Sequence, residues 1–245
     1  MRPWASAAAV CAGMMLLAGC AGADEQRARP DGRGRSPTHA VGPARIQGRA
    51  DLPPVVDHVP TRDRVVFLTY DDGAARDPRF AGLVHRRRLP VSVFLTDRVA
   101  GPGYGHLARL RAVGASIQNH TLDHTALRGL PYAGQRAEIC GQQHQLRSRF
   151  GIRPHLLRPP HGTYDTTTLH AAADCGIRAV VLWRASLGTD GGLTFRRGAP
   201  VLRPGDIVSV PSDAFTSPTT AERTAHLLRV LEERGLRVGR LEDHL

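Results

Sequence analysis

The sequence predicts an α/β fold built on a parallel sheet, and two observations predict it. The strand candidates are short apolar runs without polar alternation, led by Val65-Val66-Phe67-Leu68-Thr69. A strand buried on both faces reads this way. These runs alternate with segments of helical length, and strand–helix alternation implies parallel βα units.

After the strand at 65–69, a helix is expected over 78–87, a strand over 91–95, a helix over 104–113 and a strand over 115–118. A long helix over 133–150 is stopped by Gly151 and Pro154. A short strand at 156–158 precedes a helix over 164–175, which Gly176 follows. Strands at 178–182 and 206–210, a helix over 221–234 ended by Gly235, and a last strand at 236–241 complete the set. About seven strands, with no internal repeat, fit either an α/β barrel or a doubly wound sheet. In both, chemistry gathers at the C-terminal ends of the strands.

Hydrophobic residues make up 41% of the chain, enough for a core over most of its length. The formal charge is +11, and all 33 basic residues are arginine. The total absence of lysine reads as base-composition bias and is discounted. A basic protein can favour nucleic acid, anionic lipid or anionic wall polymer. Nucleic acid is not expected, because there is no known binding module and no dense basic stripe interleaved with aromatics.

Three regions are expected: 1–20, 21–60 and 61–245. The first reads as a targeting segment, with Arg2 before an apolar run over 5–18 that is too short for a comfortable membrane span. It ends in Leu17-Ala18-Gly19-Cys20, which resembles the lipobox of bacterial lipoproteins, where the cysteine is acylated. The chain is therefore expected on the outer face of the cell membrane, held by a lipid anchor at Cys20; ordinary secretion with Cys20 incidental is the alternative. The region 21–60 is rich in Gly, Pro, Arg and Asp and reads as a flexible tether. Export would leave Cys140 and Cys175 in an oxidising compartment, where a disulfide and two buried thiols are both open readings.

Three motifs fall at predicted strand ends. Thr69-Tyr70-Asp71-Asp72-Gly73 places two carboxylates where Gly73 lets the chain turn. His120-Thr121-Leu122-Asp123-His124 spaces two imidazoles four apart, which on a helical turn brings both to one side, with Asn119 available to hold the loop. Arg158-Pro159-Pro160-His161-Gly162 holds a guanidinium on a stiff backbone, suited to keeping a carboxylate ionised and aimed. Alone, each has an ordinary reading: a turn, a solvated or packing pair, a loop. Together they offer one carboxylate and two imidazoles for a divalent metal, with a carboxylate to spare.

In this order and spacing the motifs resemble those of polysaccharide deacetylases of carbohydrate esterase family four, over roughly residues 65–241. The resemblance implies a distorted (β/α)7 barrel. It implies that Asp72, His120 and His124 hold zinc or a similar divalent ion, that Asp71 is the general base and that Arg158 orients it. The implied reaction removes acetyl groups from N-acetylated cell-wall or extracellular polysaccharide, by a water activated at the metal. The expected partner is that glycan, peptidoglycan or chitin-like, and a monomer is expected.

The pattern then breaks. The family's general-acid histidine falls here on Pro211, which has no proton to give. Trp183 matches the fourth motif, but Arg184-Ala185-Ser186-Leu187-Gly188 lacks its acids and Asp190 is a poor substitute. Losing a general acid typically costs about 10²–10⁴ in rate. Three readings stay open. His161 takes over the acid role, Asp71 carries the proton from water to nitrogen by itself, or the chain is a catalytically impaired, membrane-tethered glycan-binding relative.

Overall fold

The computed structural model describes residues 52–100, 104–211 and 217–245. The expected signal segment, Cys20 and the expected tether up to residue 51 lie outside the described residues. The end of that tether is corrected. Val55–Val56 is a strand, β1, paired in parallel with Val180 and Val181. Two residues between prolines are too few to show a period in the sequence.

The apolar runs form the expected strands: β2 Val65–Asp71, β3 Ser92–Leu95, β4 Ser116–Asn119, β5 Leu156–Leu157 and β6 Ala179–Val181. A hairpin not expected from the sequence follows, β7 Ala185–Leu187 and β8 Leu193–Phe195, and then β9 Ile207–Val210 and a short β10 Arg237–Val238. The strand order is β1-β6-β5-β4-β3-β2-β9-β7-β8, with β10 beside β2, and only the β7–β8 pair is antiparallel. Strands β6 and β7 lie near opposite ends of this order, yet only Leu182, Trp183 and Arg184 separate them in the chain. The sheet therefore curls round on itself into the distorted (β/α)7 barrel.

The helices are α1 Pro78–Arg87, a short α2 Asp97–Ala100, α3 Tyr104–Ala112, α4 Tyr132–Phe150, α5 Thr166–Asp174 and α6 Thr220–Glu233. Their starts carry local signals: Asp77 accepts from the Arg79 N–H at α1, and Thr219 with Glu222 forms a capping box at α6. Phe67, Phe94, Leu156, Val181 and Ile207 fill the barrel interior. Outward-facing Val66, Leu68 and Tyr70 pack with Phe80 and Leu227 under the helices. Of the two open readings for cysteine, the disulfide is the one present: Cys140 of α4 is bonded to Cys175 at the end of α5, with Cα atoms 5.1 Å apart.

The curled sheet is pinned where the chain passes from β6 to β7. Arg184, 1% exposed, donates from Nε and Nη2 to the two carboxylate oxygens of fully buried Asp206 at 2.5 and 2.6 Å. Its Nη1 donates to the carbonyls of Arg197 and Ala199 at 3.0 and 3.2 Å. Burial pushes the Asp206 carboxyl up, but Arg184, the Arg203 N–H and His58 together hold it below the usual carboxylate range. Asp206→Asn leaves a buried guanidinium without its counter-charge and is expected to lower the unfolding free energy by about 3–5 kcal/mol. Because the native pKa is depressed, this contribution is complete above about pH 4 and fades as pH falls through the native value. Urea unfolding of both proteins across that range checks it: the gap between them should narrow only in acid.

Candidate metal centre and active site

Strand β2 delivers the carboxylates by alternation. Thr69 and Asp71 face the barrel interior, while Tyr70 points outward to Phe80 and hydrogen-bonds Thr224 at 2.9 Å. Asp72 escapes the alternation by opening the 3₁₀ turn Asp72–Arg76. Both carboxylates thus reach the mouth, as expected. The Thr96 N–H, just past β3, donates to Asp72 Oδ1 at 2.6 Å and fixes that carboxylate.

The histidines come from the loop after β4. They do not sit on a helical turn, and this expectation is corrected. Thr121 and His124 hold left-handed backbones, with φ of 72° and 61°. Spacing alone cannot tell a turn of helix from a tight loop. The strain is held by hydrogen bonds. Asn119 Oδ1 accepts from the Thr121 N–H and its Nδ2 donates to the Ile139 carbonyl, both at 2.9 Å, so Asn119 does hold the loop. The Leu122 and Asp123 N–H groups donate to the carbonyl and carboxylate of Glu138 on α4.

The rings converge all the same. His120 Nε2 and His124 Nε2 are 3.2 Å apart, and His120 Nδ1 is 2.7 Å from the Arg158 carbonyl. A carbonyl only accepts, so Nδ1 carries the proton and the Nε2 lone pair faces His124. Burial pushes the His120 imidazole down to about 4 despite Asp71 nearby, so the ring is neutral at neutral pH. Burial and His161 push His124 down as well. One ligand atom each from Asp72, His120 and His124 lie within 4.8 Å of one another. A carboxylate and two neutral imidazoles turned on one point form a donor set that fits a divalent ion.

Arg158 completes the site. It is fully buried, donating from Nη1 to Asp71 Oδ1 at 2.9 Å and from Nη2 to Thr69 Oγ1 at 2.7 Å. Its guanidinium carbon lies 4.3 Å from the Phe94 ring centre and 5.3 Å from that of Trp183. Burial pushes the Asp71 carboxyl up, but Arg158 and the nearby histidines outweigh it and hold the group below the usual range. Thr69 and Phe94 were missed in the sequence reading. The signal for Thr69 was present, since it lies two residues before Asp71 on the same strand face.

His161 holds a left-handed backbone, φ 59° and ψ 8°, with its ring centre 5.1 Å from that of His124. Pro211 is engaged through its carbonyl, which accepts from Arg223 Nη1 at 3.1 Å. Asp190 accepts from the Gly192 N–H within the β7–β8 turn, where it serves the hairpin.

The chain's residues 58–180 match the family described as polysaccharide deacetylase. That match contains all three motifs and stops short of Trp183 and Pro211. The chain belongs to this family. It is 62% identical over 242 residues to an uncharacterized protein of Streptomyces coelicolor, covering 98% of this chain and 96% of the relative. It is 25% identical over 195 residues to a chitooligosaccharide deacetylase of Bradyrhizobium, covering 71% of this chain and 88% of the relative. Among solved structures, a chitin deacetylase from the fungus Colletotrichum lindemuthianum matches with a TM-score of 0.66 at 17% identity, covering 79% of this chain and 92% of that one.

Removing one donor leaves two, too few for a firm divalent site. Asp72→Ala or His124→Ala is expected to strip the purified chain of divalent metal by elemental analysis, with far-UV circular dichroism unchanged.

Proposed function

We propose that this chain is a metal-dependent deacetylase acting on N-acetylated cell-wall or extracellular polysaccharide. The observation that carries this reading is the meeting of Asp72, His120 and His124 beside the Asp71–Arg158 pair. Family membership and the named Bradyrhizobium relative support the substrate class. Asp72, His120 and His124 would hold the ion, with zinc favoured by two imidazoles and one carboxylate. When bound, the ion supplies Lewis acidity, polarising the acetyl carbonyl and lowering the pKa of water.

The chain's own residues do the rest. Asp71, kept ionised and aimed by Arg158, accepts the proton of the attacking water. The C–N bond breaks, acetate leaves and the amine stays on the sugar. The departing nitrogen needs a proton, and His161 is the group assigned to give it, because its ring stands at the mouth against His124. The chain works as a monomer, exported and held to the outer face of the membrane through Cys20.

Assays of acetate release from N-acetylated chitooligosaccharides and peptidoglycan fragments test the reading. The metal-loaded chain should release acetate, and Asp71→Asn should lower kcat by roughly 10²–10⁴ with metal content retained. No acetate from any N-acetyl glycan, with metal shown to be bound, would reject the proposal.

Pro211 favours a second reading, an impaired glycan-binding relative without effective turnover. Its ring carries no acidic proton, and its carbonyl is already used by Arg223. Pro211→His separates the two. Under the leading reading the change alters kcat by less than about tenfold, and His161→Ala abolishes activity. Under the second, Pro211→His raises turnover by about 10²-fold or more from near zero.

A further inference from the structure

We propose that the end of the barrel opposite the active-site mouth docks on anionic phospholipid headgroups. In a parallel barrel every loop that precedes a strand lies at this end. Here those loops carry arginine repeatedly: Arg64 before β2, Arg88 before β3, Arg111 before β4, Arg153 before β5 and Arg178 before β6. The convergence is spatial as well as topological. Arg111, Arg153, Arg178 and Arg240 line one cavity of about 330 Å³.

The charge at this cavity is only partly cancelled locally, four arginines lining it beside one carboxylate, Glu242. Arg111, Arg153 and Arg178 are exposed, and among the described residues none of the four lining arginines is ion-paired. Glu242 turns inward, accepting from Ser92 Oγ at 2.8 Å and Gln118 Nε2 at 3.0 Å. Unpaired guanidinium groups at one end of a domain suit phosphate oxygens.

Two occupants would satisfy this chemistry, a bilayer and an anionic wall polymer. The path of the chain favours the bilayer. The chain enters the described fold at this same end, where the Pro54 carbonyl accepts from the Val180 N–H at 2.9 Å, two residues beyond Arg178. The lipid anchor proposed at Cys20 lies upstream of that entry. A surface that meets the headgroups next to its own tether turns the mouth away from the membrane.

Vesicle co-sedimentation tests the proposal on the full chain carrying Cys20→Ala throughout, so that no acyl chain contributes. The chain should sediment with phosphatidylglycerol vesicles and release them at high salt. Arg153→Ser with Arg178→Ser should weaken binding about fivefold per arginine, and Arg153→Lys with Arg178→Lys should restore it. Arg79→Ser with Arg136→Ser, which removes equal charge elsewhere, should leave binding unchanged. Unaltered binding by the first pair, equal binding to neutral phosphatidylcholine vesicles, or equal competition by soluble poly(glycerol phosphate) overturns it, the last in favour of a wall polymer.

Discussion

One buried guanidinium ties the three motifs into a single site. Arg158 holds Asp71 through Nη1 and Thr69 through Nη2, and its carbonyl fixes the proton on His120. Its own N–H donates to the Asn119 carbonyl, the residue that shapes the histidine loop. A cation this deep persists only with its charge compensated, and Asp71 supplies that counter-charge. The same contacts that make Arg158 tolerable in the interior orient the base and one imidazole. Structural necessity and the arrangement of the site are here one set of bonds.

A second buried pair uses the same chemistry for a different end. Arg184 and Asp206 meet through two charge-assisted bonds, and Arg184 also gathers the carbonyls of the 197–201 loop. This pair stands where the sheet curls back and no helix intervenes between β6 and β7. Read as a failed fourth motif, Arg184 looks like a loss. In the fold it is a fastening, and Asp190 likewise closes a hairpin turn. Arg184, Asp190 and Pro211 all lie in the part of the barrel that β6, β7 and β9 close, beyond the stretch matched to the family.

Strain is concentrated at the mouth. Thr121, His124 and His161 take left-handed backbones, which cost L-residues of this size about 1 kcal/mol or more each. The histidine loop is over-determined by Asn119 and by Glu138 of α4. That helix is joined to α5 by the Cys140–Cys175 disulfide. The helical layer thus reaches the site directly, through hydrogen bonds to the backbone of the loop that bears both imidazoles.

The sequence by itself determined the class of fold, the order of the main strands and helices, and the residues offered at the mouth. Non-alternating apolar runs, glycines at helix ends and three compact motifs are local signals, and local signals survive in one dimension. Only the tertiary structure decided that β1 belongs to the sheet, that a hairpin follows Arg184, that the two cysteines pair and that the histidines ride a left-handed loop. Each of those depends on contacts between residues far apart in the chain. Val55 needs Val180, Arg184 needs Asp206 and Cys140 needs Cys175. A two-residue strand or a four-residue spacing has no meaning until its partner is known. Phe94 stayed hidden for the same reason, since it is not reactive and its part in the site exists only because Arg158 is folded against it.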